Sequence, residues 1–134
     1  MKKVLYIILA IFAILILGYV IILNLSQAST KNKEASITIE ASQLFDKYSN
    51  SEKQANTKYN GKVIEVSGVV RNVTKDKKGD IVVILNTNDM IGGILCTFEN
   101  PPREDLKKGQ FVKIKGQCNG LLMDVVLNKC NLVQ

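Results

Sequence analysis

The chain contains no histidine and no tryptophan. Without histidine there is no imidazole general base, no histidine-containing metal set and no Ser-His-Asp arrangement. Proline occurs only at 101 and 102, and the three cysteines form no CxxC pair, which argues against a zinc site. Aromatic residues are only 6% of the chain. No lysine followed by serine or threonine comes after Gly92-Gly93, so that pair is not a phosphate loop. The acidic residues Glu65, Asp80, Asp89 and Asp124 are scattered, without the spacing of a catalytic carboxylate pair. We therefore expect no enzymatic activity, no cofactor and no metal.

What is present is unevenly distributed. Val4 to Leu23 (VLYIILAIFAILILGYVIIL) is apolar and uncharged. As a helix it would be about 30 Å long, the depth of a bilayer's hydrocarbon core. Met1-Lys2-Lys3 forms a basic flank, the side that stays in the cytoplasm under the positive-inside rule; Lys31 and Lys33 beyond the span weaken that bias. Ser26-Gln27-Ala28 resembles a signal-peptidase site, but signal h-regions run about 7–15 residues, so an uncleaved anchor is preferred. Gly18 alone makes no GxxxG dimer face, and no cysteine follows the span to carry a lipid. Residues 24–36 (NLSQASTKNKEAS) read as a polar tether, and 37–134 is long enough for one small core. The expected organisation is a flank at 1–3, a transmembrane anchor at 4–23, a linker at 24–36 and a domain at 37–134, with a single pass and the C-terminal domain outside the cytoplasm.

In the domain, Glu40 to Tyr48 places Ala41, Leu44, Phe45 and Tyr48 at helical spacing, with Thr38 as a candidate cap. Glu52 to Tyr59 predicts a second short helix. Phe45, Tyr48 and Tyr59 are expected to pack against the domain. From Lys62 the period changes to two. Strands are expected over 62–74, with a bend at Gly68, and over 81–85 and 91–98, where Ile94, Cys96 and Phe98 share a face. Pro101-Pro102 breaks the pattern, and 104–108 allows one helical turn. Strands 110–118 and 121–132 follow, with Asn119-Gly120 as the hairpin turn. On the first of these, Val112, Ile114, Gly116 and Cys118 point one way, and Phe111, Lys113, Lys115 and Gln117 the other. Leu127 and Cys130 fall on opposite parities, which predicts a bulge. Three strands, a break and a two-strand hairpin is the order of a mainly β, five-stranded OB-fold barrel, here with a short N-terminal helical lead-in; an open antiparallel sheet remains an alternative.

The residues Tyr59-x-Gly61-Lys62-Val63-x-x-Val66-x-Gly68-x-Val70, Cys96-x-Phe98, Leu106-x-x-Gly109-x-x-Val112-x-Ile114-x-Gly116-x-Cys118-x-Gly120 and Val126-Leu127-x-x-Cys130 resemble the tRNA-anti-like family of bacterial OB-fold proteins. The resemblance covers Leu44 to Leu132. It implies an exported or membrane-attached OB-fold protein, with nucleic acid suggested only by analogy of fold.

In an OB topology the third and fifth strands are parallel neighbours, so Cys96 and Cys130 come near each other. Two readings stand: three buried thiols acting as small apolar groups, or one disulfide with a spare cysteine. Lys75, Lys77, Lys78 and Arg71 are the candidate ligand contacts at the loop rim, against the plainer reading of a solvated lysine turn. Of the aromatics outside the anchor only Phe98 lies on the second or third strand, and there with core parity, so a base-stacking platform is not expected on that face. The function expected is a membrane-anchored, non-catalytic module for a protein, peptide or glycan. The alternative is a binder of single-stranded nucleic acid.

Overall fold

A computed structural model describes residues 1–25 and 34–133. Helix α1 (Lys2–Leu25) comes first, then strand β1 (Ile37–Glu40), helices α2 (Ala41–Asn50) and α3 (Glu52–Tyr59), and strands β2 (Val63–Lys75), β3 (Ile81–Leu85), β4 (Ile94–Phe98), β5 (Phe111–Leu121) and β6 (Val125–Leu132). Strands β2-β3-β4-β6-β5 are joined in that order, and a β2–β5 pairing closes them into a five-stranded barrel. The molecule is mainly β with short helices, and closure leaves little exposed strand edge.

Closure depends on β2 being long and changing partner along its length. Its first half, Val63 to Val69, pairs with β5, and its second half, Val70 to Lys75, pairs with β3, with a bulge between Val70 and Asn72. Gly68 lies just before the switch, where a Cβ would come within 2.9 Å of the Ala41 Cβ. The bend expected at this glycine thus serves a close approach of helix α2. The expected parallel neighbours, third and fifth barrel strands, are β4 and β6, which pair through Ile94, Leu95 and Cys96.

Four expectations need correction. Residues 37–40 are a strand, not the cap of a helix: β1 runs parallel to β2, with Ile37 opposite Ile64 and Glu40 opposite Ser67. Their alternation of β-branched and polar residues suits a pleated edge better than a helix start, and α2 begins after Glu40 with no side-chain cap. Asn119-Gly120 is not the hairpin turn. Both residues stay in β5, Gly120 takes φ +90°, and the register shift between Cys118 and Leu121 absorbs it; the chain reverses at 122–124. Residues 104–108 form no helix. Strand β4 starts at Ile94 rather than 91, because 91–93 belong to the preceding loop.

The core fills the barrel and continues under the helices. Ala41, Leu44, Phe45 and Tyr48 lie on one face of α2 and are buried together with Ala55 and Tyr59 of α3 against Ile64, Val66, Ile114 and Leu127. The Tyr48 and Tyr59 rings are 6.2 Å apart and tilted, a favourable aromatic geometry. The parity conflict at Cys130 is resolved by Lys129, whose φ of 53° rotates the strand so that Leu127 and Cys130 both face inward.

Helix α1 extends past both ends of the expected span, taking in Lys2 and Lys3 and continuing through Asn24 and Leu25. Among the described residues no helix is long and apolar enough to cross a membrane. Of the expected linker, residues 26–33 lie outside the described residues, and with them the Ser26-Gln27-Ala28 site.

Candidate functional site

Two loop regions carry the sequence-based candidates, and they are built differently. The 76–80 turn between β2 and β3 is organised by Asp76. Its Oδ1 accepts the backbone N–H of Lys78 at 2.8 Å and of Asp80 at 3.0 Å, while Gly79 supplies φ +90°. Lys75, Lys77 and Lys78 are exposed around it.

Arg71 does not join them. Its guanidinium donates to the Gly92 carbonyl at 3.1 Å and to the Ile91 carbonyl at 3.3 Å, and lies 3.8 Å from the Asp124 carboxylate. The same Asp124 oxygen accepts the Gly93 N–H at 2.7 Å, and the Val125 N–H donates to the Gly93 carbonyl at 3.0 Å. Arg71 therefore ties the 86–93 loop to the 122–124 turn, and its charge is engaged within the fold. Thr87 donates to the Gly92 carbonyl at 2.8 Å, and Asp89 accepts the N–H groups of Gly92 and Ile91. Those two bonds, Gly92 first, hold the Asp89 carboxyl below its ordinary range because they favour the charged form.

A surface depression of about 870 Å³ lies elsewhere, between the 100–104 segment, the outer face of β5 and the end of β6. Arg103, Phe111, Lys113 and Lys115 line it with Asn100 and Asn131. A smaller hollow that includes Lys75 shares Phe98 and Pro101 with it, so the lysine turn adjoins the groove. Phe111 is 62% exposed, an aromatic face offered to solvent among cationic side chains. Composition and loop position did not single it out. Its outward parity with Lys113 and Lys115 was the available signal, and the outer face of the fourth barrel strand is not where OB-folds usually bind.

Cys96, Cys118 and Cys130 are buried free thiols. Cys118 Sγ is 3.3 Å from the Tyr48 hydroxyl; burial first, and then this contact, push the Tyr48 hydroxyl well above its ordinary value. Burial also pushes the Cys130 thiol up, reinforced by the adjoining Cys96 thiol. In Cys130, burial disfavours the thiolate needed for nucleophilic or metal chemistry. Among the described residues no cluster of cysteine and carboxylate side chains is arranged to hold a metal. The groove offers cationic, amide and aromatic side chains to solvent.

No curated protein matches the chain. Among solved structures it is similar to a "putative nucleic acid-binding lipoprotein" from Klebsiella pneumoniae subsp. pneumoniae, with 20% identity and a TM-score of 0.60, covering 74% of this chain and 93% of that one. At that identity the likeness establishes the fold. The tRNA_anti-like family model matches residues 1–132, and with the closed barrel and its spaced glycines and cysteines in place, the chain belongs to the tRNA_anti-like family.

Proposed function

We propose that this protein is a single-pass, membrane-anchored OB-fold module that binds a protein, peptide or glycan outside the cytoplasm without transforming it. The observation that carries the reading is α1. Its described apolar side chains are exposed all round, Leu9 by 58% and Leu15 by 65% among them. A helix apolar on every face needs an apolar surrounding, and the described residues supply none. The family match begins at residue 1 and so takes in this helix. The basic Met1-Lys2-Lys3 flank favours a cytoplasmic N-terminus. Extraction of membranes with carbonate tests the anchor: the full-length chain is expected in the pellet, and recovery in the supernatant overturns it.

An extracytoplasmic barrel would meet an oxidising environment, where the contact between Cys96 and Cys130 favours a disulfide. Mass spectrometry with and without reductant tests this. Three free thiols in protein isolated from an oxidising compartment remove the pairing.

One observation favours a second reading, single-stranded nucleic acid. The groove offers the exposed Phe111 ring beside Lys113, Lys115 and Arg103, a small version of an aromatic platform in a cationic channel. The similar lipoprotein bears a nucleic-acid-binding name. Titration of labelled single strands at two salt concentrations separates the readings. Steep, salt-dependent micromolar binding that Phe111→Ala weakens would promote the second; no binding near physiological salt would remove it.

A further inference from the structure

From Ile37 onward, among the described residues, the four most exposed large apolar side chains are Met90 (97%), Leu122 (84%), Ile91 (77%) and Met123 (75%). They come from two loops far apart in sequence, and the fold holds those loops together. Arg71 bonds the Ile91 carbonyl and lies beside Asp124, and Asp124 accepts the Gly93 N–H. Within the loops, Asp89 fixes the backbone of Ile91, and the Leu122 N–H donates to the Asp124 carbonyl at 3.0 Å. Two apolar pairs are thus presented from one braced base, and nothing in the barrel covers them. Exposed apolar surface concentrated in this way marks a contact site.

The path of the chain indicates what covers it. Strand β1 enters the sheet with Ile37 opposite Ile64, and Ile64 is opposite Gly116 of β5. Strand β5 runs opposite to β1 and continues past that level to the 122–124 turn. The turn therefore projects toward the side from which the chain arrives. Ile37 is twelve residues beyond the end of α1 at Leu25, so even fully extended chain keeps the barrel within roughly 40 Å of that helix end.

We propose that Met90, Ile91, Leu122 and Met123 form a tip that inserts into the interface of the lipid bilayer holding α1, so that the barrel rests on the membrane instead of swinging from its tether. This rests on the anchor reading. Branched and thioether side chains without charge suit the acyl boundary, and their insertion would fix which face of the barrel looks away from the lipid. Strand β5 carries Phe111 at its opposite end from the tip, which leaves the groove directed away from the bilayer.

The absence of native tryptophan makes the test direct, because a single introduced indole is the only one present. Full-length Leu122→Trp and Phe111→Trp chains are reconstituted separately into phosphatidylcholine vesicles containing a lipid nitroxide-labelled near the carbonyl region. Flotation reads the anchor, and fluorescence reads the tip. In floating protein, the indole at 122 is expected to emit to the blue of that at 111 and to be quenched about twofold more strongly. Adding Met90→Asp and Met123→Asp to the Leu122→Trp chain should abolish that difference while flotation persists. Equal, solvent-like emission at both positions in floating protein overturns the tip alone. A blue shift at 122 without nitroxide quenching also overturns it, since a second copy or another protein would then be the cover. A chain that fails to float overturns the anchor reading and the tip with it.

Discussion

Helix α1 and the barrel contain the same kinds of side chain in opposite surroundings. Leu9, Leu15 and Leu17 of α1 are each more than half exposed, whereas Leu44, Leu85 and Leu127 of the folded domain are fully buried. The barrel covers most of its own apolar surface through strand pairing and two short helices. Helix α1 leaves its described side chains uncovered by the other described residues. On the anchor reading, stability and localisation therefore reside in separate parts of the molecule, and substitutions can show how separate they are.

The largest expected effect comes from emptying the core. Leu127→Ala truncates a fully buried side chain of the core, and should lower the unfolding free energy by about 2–5 kcal/mol in a denaturant titration. Leu15→Ala should change the barrel's midpoint by less than about 0.5 kcal/mol, since no buried surface of the domain depends on it. If Leu15→Ala shifted the midpoint as Leu127→Ala does, α1 would have to pack on the barrel and the contrast would fail.

A pair of glycines sharpens the comparison at slightly smaller magnitude. A Cβ at Gly116 would come 2.6 Å from Cys130 Sγ and 3.2 Å from the Asn128 carbonyl, whereas a Cβ at Gly18 meets nothing within 4 Å. Gly116→Ala should cost about 1–3 kcal/mol by overpacking. Gly18→Ala should leave barrel unfolding unchanged while favouring the helix by up to about 1 kcal/mol. Circular dichroism of the full chain in detergent reads the helix and the barrel transition in one sample.

How much of this was legible in the sequence depended on whether a local rule was also the global one. The inward row Val112, Ile114, Gly116 and Cys118 was readable because a period of two persists wherever one face is buried. The buried face of α2 was readable for the corresponding reason at helical period. Asn119-Gly120 misled because the dipeptide is a strong local turn signal, yet a glycine at positive φ also suits a register shift within a strand. Strand β1 was missed because four alternating residues are too few to stand out from a helix start, and they gain a partner only when β2 arrives. The site was less legible than the fold. Arg71 had the charge for a ligand contact, but the carbonyls that engage it come from residues 20 and 21 positions later. Phe111 became a candidate only when the 100–104 segment folded beside it to form a groove.

Within the barrel, the two loops that follow β2 and β3 repeat the comparison on a smaller scale. The 76–80 turn is held by its own Asp76, while the 86–93 loop depends on Arg71 from another strand. Arg71→Met should therefore destabilise the domain by about 1–3 kcal/mol, since it leaves the carbonyls of Ile91 and Gly92 without that donor. Hydrogen exchange should accelerate at 89–93 and stay unchanged at 76–80. Equal acceleration in both would mean that Arg71 supports the barrel as a whole.

The smallest effect concerns Asp89, which braces the 86–93 loop from within. Its carboxylate accepts the Gly92 N–H at 2.6 Å and the Ile91 N–H at 2.8 Å, bonds that the protonated acid accepts less well. The folded loop therefore holds the proton more weakly than the unfolded chain does, and the carboxyl titrates below its ordinary 3.8. A depressed folded value gives a contribution that is complete above the unfolded pKa and is lost as pH falls through the folded one. The Ile91 and Gly92 amide proton resonances should titrate together with a midpoint below 3.8, and Asp89→Asn should remove that titration. Because Asp89 is solvent-exposed, the change should register in the loop amides far more than in the global unfolding midpoint. A midpoint at or above 3.8 would mean that the carboxylate does not brace the loop, leaving Arg71 and Thr87 as the contacts that hold Met90 and Ile91 in place.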